Sequence, residues 1–400
     1  MEGTDIIVTN KSNDYLINFE LINANNSLAN AIRRTCLSEV ETIGFKTEPY
    51  EESDVNIIEN TSSLHNEFIM HRFGMIPVNF SDIDKFDSDR YRFILNVQNT
   101  SSKILNVTTK DIVVKDLNTN TNLNTDDFFP PDKYTNEYIL ITKLKPNPNG
   151  VGEKLNLEAR AIKSSGSENA RWSPVSKAVF NNKIDVSALN IAIEKFLLEK
   201  EESKGTPLTA DEKEKFTNSF TISEGERYFH VDNDPVHGDE PNIFEFTIES
   251  IGILTAGEIL NKSLYHIKTK LDKFLANLDK YIETSENDSV QVIKSDTVQK
   301  AFDIKVIGEN HTLGNLIQTY THYLNSPELN FIGYFKPHPL YDHIIIRIGV
   351  ADNSVETVRK LISKTVVHIK DICSKLDEKT REEFSLKQKT RKLKKKEKLK

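Results

Sequence analysis

One short pattern occurs twice in this chain, and it constrains the fold more than any other feature. Near the start the sequence reads Asn26-Ser27-Leu28-Ala29-Asn30-Ala31-Ile32, and far downstream it reads His311-Thr312-Leu313-Gly314-Asn315-Leu316-Ile317. Each is a hydroxyl residue followed by Leu, a small residue, Asn and two apolar positions. Repeats of this kind mean that one structural unit has been used twice. The likeness extends outward. Ile17, Phe19 and Leu21 alternate with polar residues before the first copy, and Phe302, Ile304 and Val306 do so before the second. Alternation of period two predicts a half-buried strand.

Each strand runs into Ser27 or Thr312, residue types that cap helix N-termini by accepting from the first free N–H groups. Leu28, Ala31, Ile32, Thr35 and Val40, and in the second copy Leu313, Leu316, Ile317, Tyr320 and Leu324, fall near the spacing of one helix face. Similar short cores follow, Ile43-Gly44-Phe45 and Ile332-Gly333-Tyr334. Apolar runs come next, Val55 to Ile58 and Ile344 to Ile348. Each copy closes on a long helix with His-Ile-Lys, at His266-Ile267-Lys268 and His368-Ile369-Lys370.

A small sheet with two helices covers only one side of those helices. Two copies on one chain therefore predict an intramolecular pseudo-dimer, clasped helix to helix with approximate two-fold symmetry. The helices 27–40 and 312–325, with closing helices 255–280 and 354–378, are its expected core. Leu28, Ala31, Ile32, Leu313, Gly314, Leu316, Ile317 and Tyr320 are its expected contact residues.

The copies differ in length. The first breaks after Val78 and resumes near Phe244, which predicts a mainly β inserted domain over 81–236. Strands are expected at Tyr91 to Val97, Ile104 to Val107, Tyr138 to Leu144 and Leu155 to Ala161. A helix is expected over 184–200, and a second from Thr209, with Glu212 completing a capping box. The first dimerisation domain is then 1–80 plus 237–280, and the second is 300–386. Polar residues 281–299 read as a linker; as a flexible coil this would span roughly 24 Å. Such a tether sets a local concentration on the order of millimolar, so the halves pair in a fixed ratio.

Charge and cysteine usage narrow the function. Residues 387–400 hold nine Lys/Arg against one Glu, leaving −16 on the rest of a chain whose overall charge is −8. An acidic body argues against nucleic-acid binding along the whole chain, because phosphate contacts need clustered cations. The basic tail reads as a solvated end, with nuclear import or a nucleic-acid contact as the alternative. Cys36 and Cys373 are the only two cysteines. They cannot supply a disulfide framework or a four-thiolate site, and they suit a reducing, intracellular setting. No apolar run is long enough to span a membrane, and Met1-Glu2-Gly3-Thr4-Asp5 does not resemble a secretory signal.

The segment from Asn60-Thr61-Ser62-Ser63-Leu64-His65-Asn66 through Glu67-Phe68-Ile69-Met70-His71-Arg72-Phe73-Gly74-Met75-Ile76-Pro77 resembles the signature of the alpha-like RNA polymerase subunits. These are bacterial alpha, archaeal D and the third-largest component of eukaryotic polymerase II. Asn30-Ala31-Ile32-Arg33-Arg34 resembles their first-helix motif, and Ala170-Arg171-Trp172-Ser173-Pro174-Val175 resembles the end of their inserted domain. His311 to Asn315 and Gly333-Tyr334-Phe335-Lys336-Pro337-His338-Pro339-Leu340 are similar to the small partner, archaeal L or the eukaryotic eleventh subunit. The resemblance covers nearly the whole chain. A fusion of the two subunits resembles the arrangement in large cytoplasmic DNA viruses.

The resemblance implies an α+β fold with two alpha-type dimerisation domains. It also implies a non-catalytic scaffold that recruits the second-largest and then the largest polymerase subunit, with small zinc-bearing subunits alongside. If the source is viral, host cytoplasm and virion are the expected locations. Arg33, Arg34, Asn60, Thr61, Ser62, Glu67, His71 and Arg72 lie where the family contacts its large partners. Arginine suits such work because its planar fork pairs with carboxylates and backbone oxygens; an ordinary exposed helix face is the alternative for Arg33 and Arg34. Many relatives hold a metal or cluster in the insert through cysteines. No cysteine lies between Cys36 and Cys373, so that site is not expected here.

Other motifs carry less. Asp82, Asp84, Asp87 and Asp89 lack the Gly and distal Glu of a calcium loop. Asp232-Asn233-Asp234 with His237-Gly238-Asp239-Glu240, and His338 with His343, are poor metal sets. Gly150 and Gly152 do not complete a phosphate loop. No catalytic residue, metal or cofactor is expected. Two other function classes stay open: a metal-dependent hydrolase using the acidic loops, and a nucleic-acid-binding module acting through the tail.

Overall fold

The computed structural model describes residues 3–80, 82–147, 150–225, 229–230, 240–325 and 328–397, without the side chains of 10–12 and 384–397. The chain divides into two compact units, Met1–Cys36 with Lys177–Ser250 and Thr255–Lys400, and Leu37–Ser176 with Ile251–Leu254.

The first unit opens with β1 (Asp5–Asn13), β2 (Leu16–Ile22) and α1 (Asn26–Ser38). The second unit holds β3 (Glu41–Phe45), β4 (Val55–Asn60), α2 (Asn66–Gly74), β5 (Tyr91–Gln98), β6 (Leu105–Thr108), β7 (Ile112–Asp116), β8 (Thr121–Leu123), β9 (Leu140–Leu144), β10 (Lys154–Ala159) and β11 (Ala161–Ser165). The first unit resumes with β12 (Val175–Asn182), α3 (Val186–Lys204), α4 (Ala210–Phe220), β13 (Ile243–Ser250) and α5 (Ala256–Thr284). It ends with β14 (Val290–Lys294), β15 (Ala301–Ile307), α6 (His311–Asn325), β16 (Leu329–Phe335), β17 (His343–Val350) and α7 (Val355–Glu397).

The first unit contains two four-stranded sheets of matching plan, β1-β2-β13-β12 and β14-β15-β17-β16. Alternation along β2 buries Ile17, Phe19 and Leu21, and Phe19 stacks on Phe246 of β13 with ring centroids 4.8 Å apart. Phe302, Ile304 and Val306 are buried in the same way on β15. A long helix follows the third strand of each sheet, α5 after β13 and α7 after β17. These two helices pack along each other, α6 packs on α7, and α7 also lies on β1.

The repeat is therefore present, but two of its expected elements run elsewhere. Ile43-Gly44-Phe45 forms β3 and pairs with β11, and Val55 to Ile58 belongs to β4 and pairs with β10. Both lie in the second unit. The sheet position that β16 fills in the second copy is filled in the first by β12, and the counterpart of β17 is β13. The main segment of the second unit thus runs from Leu37 to Ser176, where the sequence suggests an insert over 81–236 and a first domain that keeps 1–80. Strand capture is the cause: β3 and β4 find their hydrogen-bonding partners among the inserted strands.

The helix caps also differ from expectation. Asn25 Oδ1 accepts from Leu28 N at 2.8 Å, and Asn310 Oδ1 accepts from Thr312 N at 2.9 Å. Asparagine, not Ser27 or Thr312, satisfies the first turn in both copies. The 281–299 segment is not a free coil. Its first residues continue α5, and β14 pairs with β15 from Val290↔Val306 to Lys294↔Phe302. Val290 is fully buried, which gives this short strand its purchase.

The second unit is mainly β, with a five-stranded sheet β4-β10-β5-β7-β8 and the pairs β11-β3 and β6-β9. Its core includes Phe45, Phe73, Phe93, Phe128 and Phe129. Strands β7 and β8 are additions that the sequence did not suggest. In the first unit α3 and α4 occupy the expected helical stretch, and the Thr209–Glu212 capping box is formed.

Candidate interfaces on the paired helices and on the Asn60–Pro77 segment

In the first unit the helices of the two copies meet directly. Leu28, Ala31, Ile32, Leu313, Leu316, Ile317 and Tyr320 are each at most 2% exposed, and Gly314 is buried. Ser27 Oγ lies 2.7 Å from Thr319 Oγ1 and 3.5 Å from the Asn315 carbonyl, joining α1 to α6. Gly314 is a packing requirement. A Cβ there would stand 2.4 Å from Tyr334 Cδ2, so only glycine lets the ring lie on α6.

The His-Ile-Lys motifs show how the long helices are pinned. Lys268 Nζ on α5 is 3.7 Å from Asp377 Oδ2 on α7, and Lys370 on α7 pairs with Asp272 on α5. Arg359 Nε donates to Asp279 Oδ1 at 2.7 Å, and Lys270 reaches Glu309 at 3.4 Å. Ion pairs of this kind contribute little each, so apolar burial is the larger stabilising contribution in this unit. Burial pushes the Cys36 and Cys373 thiols up to about 12. Burial likewise raises the Tyr320 phenol.

Arg33 and Arg34 are half-buried. Arg33 wraps back on its own helix, with Nε and Nη2 donating to Asn30 Oδ1 at 3.1 and 2.8 Å. Burial, and then Arg34 beside it, lowers its pKa. Arg34 acts across the copies: its charge partly offsets the upward push of burial on Tyr334.

In the second unit the Asn60–Pro77 segment forms a hydrogen-bonded loop followed by α2. Asn60 organises the loop. Its Nδ2 donates to the Leu64 carbonyl and to Asn66 Oδ1, both at 2.8 Å, and its Oδ1 accepts from Ser62 N and Oγ at 2.9 and 2.7 Å. Thr61 bonds Lys154 through both backbone and hydroxyl. Asn60 and residues Ser62 to Glu67 line a surface cavity of ≈ 590 Å³. Ile69, Met70 and Phe73 face inward from α2. Glu67, His71 and Arg72 face outward, with Arg72 Nη2 donating to the Leu140 carbonyl at 2.8 Å.

Sequence reasoning missed Phe68 and Met75, which are 61% and 56% exposed on that same outward face. The available signal was their seven-residue spacing, which puts both on one side of a helix. The Ala170–Val175 motif is an internal clamp. Arg171 Nη1 donates to Thr47 Oγ1 at 2.6 Å, Nη2 is 3.0 Å from Glu48, and the Trp172 carbonyl accepts from Thr42 Oγ1 at 2.8 Å.

Among the described residues no group of three or more His, Cys, Asp or Glu side chains converges on a possible metal position. Asp89 pairs with Arg160 and Asp82 with Lys85. His343 and Tyr341 stack with ring centroids 5.4 Å apart. The Asp232–Asp239 stretch and the side chains of the 387–400 tail lie outside the described residues. No helix among the described residues is long and apolar enough to cross a membrane.

The model of the RNA polymerase Rpb3/Rpb11 dimerisation domain matches residues 18–115, and a second model of that description matches residues 301–379. The chain is 31% identical to the "Conjugation stage-specific protein" of Tetrahymena thermophila over 204 residues, 45% of this chain and 60% of that protein. It is 28% identical to "DNA-directed RNA polymerase subunit Rpo3" of Pyrococcus furiosus over 290 residues, covering 70% of this chain and 99% of the relative. It is 30% identical to "DNA-directed RNA polymerase II subunit rpb3" of Dictyostelium discoideum over 287 residues, covering 65% and 89%. With one dimerisation domain at each end and helices that clasp between them, the chain belongs to the Rpb3/Rpb11 family of RNA polymerase subunits, both members of the pair being present in one polypeptide.

Proposed function

We propose that the chain is the non-catalytic assembly platform of a multisubunit DNA-directed RNA polymerase. The observation that carries this reading is the presence of two dimerisation domains in one unit, joined by the Ser27–Thr319 hydrogen bond and the packing of α5 on α7; buried Leu28, Ile32, Leu313, Leu316 and Ile317 support it. Nucleotide addition belongs to other chains.

The outward face of α2 and the Asn60 loop receive the second-largest subunit, using Asn60, Thr61, Ser62, Glu67, His71 and Arg72. The largest subunit joins next, Arg33 and Arg34 supply further contacts, and small zinc-bearing subunits sit alongside. Exposed Phe68 and Met75 support this placement, because aromatic and Met side chains ringed by Arg and His make strong contact centres. DNA is reached only indirectly or through the 387–400 tail. The fusion supports a viral source, with the protein in host cytoplasm and virion; purified particles that lack the chain would reject that part.

A tagged full chain, purified from cells that make it, should bring down two very large polypeptides in stoichiometric amount. Recovery of the chain without them rejects the platform. Arg72→Ala should weaken capture of the second-largest subunit, with a small fall in melting temperature from the lost bond to the Leu140 carbonyl.

A further inference from the structure

The loop between Phe129 and Leu140 in the second unit presents one side chain to solvent more fully than any other large hydrophobic residue described: Tyr134 is 95% exposed. The loop that carries it is fastened. Asp132 Oδ1 accepts from Tyr134 N at 2.9 Å, Thr135 N at 2.8 Å and Thr135 Oγ1 at 3.2 Å. Asp132 N donates to the Glu137 carbonyl at 2.8 Å, and Asn136 N to the Asp132 carbonyl at 2.9 Å. At its base, Tyr138 Oη donates to Asp126 at 2.9 Å under Lys110, and Phe128 and Phe129 are buried. A ring held out on a backbone already in place loses little freedom when a partner covers it. Buried aromatic anchors supply much of the affinity of protein interfaces.

Two further facts identify the partner's chemistry. The rim around Tyr134 is acidic, with exposed Asp126, Asp127, Asp132 and Glu137 against Lys133. The loop is also continuous with the face of α2 that is proposed above to receive the partner, because it leads directly into Leu140, whose carbonyl accepts from Arg72.

We propose that Tyr134 is an anchoring knob that inserts into an apolar, basic-rimmed pocket of the second-largest polymerase subunit, an inference that rests on the platform reading above.

The test immobilises purified second-largest subunit and measures binding of the full chain. Tyr134→Ala should dissociate at least tenfold faster than the unsubstituted chain, at unchanged melting temperature. Tyr134→Phe, which keeps the ring, should stay within threefold. Tyr265→Ala, at a 60% exposed position in the other unit, should have no effect. Replacing Asp126 and Glu137 by Asn and Gln should slow association and flatten its salt dependence. The knob is overturned if Tyr134→Ala binds within twofold of the unsubstituted chain, or if Tyr134→Phe is as weak as Tyr134→Ala. Loss of binding in Arg72→Ala but not in Tyr134→Ala rejects the knob and leaves the platform standing. An unsubstituted chain that does not bind rejects both.

Discussion

Ser27 Oγ on α1 and Thr319 Oγ1 on α6 lie 2.7 Å apart, a hydrogen bond between residues 292 positions apart in the chain. Ser27 is available for it because Asn25 takes over the capping of α1. A hydrogen bond of this kind contributes roughly 0.5–1.5 kcal/mol net. Ser27→Ala and Thr319→Ala should each destabilise the first unit by about that amount. Denaturant melts of both single variants and the double variant should give a coupling energy well above zero; strictly additive losses would mean that the contact contributes nothing.

Gly314→Ala should destabilise despite its better helix propensity. Alanine gains up to about 1 kcal/mol over glycine inside a helix. Against this, the added Cβ would press to 2.4 Å from Tyr334 Cδ2, and overpacking costs roughly 1–3 kcal/mol. The net effect should be a lower melting temperature, and adding Tyr334→Leu should recover most of the loss.

Leu316 is 2% exposed on α6, the helix whose Thr319 bonds Ser27 of the first copy. Leu316→Asp removes burial worth roughly 1.5–3 kcal/mol and introduces a charge that is costly to desolvate. A protease site placed in the 285–289 connection offers a direct assay. Cut chains with Leu316 should keep both fragments together in gel filtration, and cut Leu316→Asp chains should not. Unsubstituted fragments that separate on cutting would refute the clasp.

Asp116 is buried in the second unit, with Arg90 Nη2 2.7 Å from its carboxylate. That hydrogen bond holds its pKa down to about 2, from an ordinary 3.8. Because the folded state has the lower pKa, the stabilisation is present above about pH 4 and is lost as pH falls toward 2. Asp116→Asn should therefore lower stability at neutral pH and lose less on acidification, as read by melts across that range.

Much of this was legible in the sequence, for identifiable reasons. β2, β15, α1 and α6 announce themselves because their apolar residues keep strict periods of two or about 3.6. Local pattern cannot choose between competing partners. Ile43-Gly44-Phe45 looks like Ile332-Gly333-Tyr334, yet it pairs with β11 because the inserted strands offer a longer-range alternative. In the same way, β14 was hidden inside a polar stretch, since only Val290 of its five residues is fully covered. The outward face of α2 was read through its polar residues, and Phe68 and Met75 were passed over. Tyr134 carries no periodic signal at all, because its exposure is set by a turn.

The ion pair between Asp5 on β1 and Lys379 on α7 has a bearing on how the protein is made. The face of β1 that α7 covers meets that helix 374 positions further along the chain, so it stays open until α7 has been synthesised. Contacts of such long sequence separation slow folding and leave apolar surface open to aggregation in the meantime. A nascent chain of this kind should engage chaperones until α7 has emerged, and a truncation before Val355 should be recovered mainly as insoluble material.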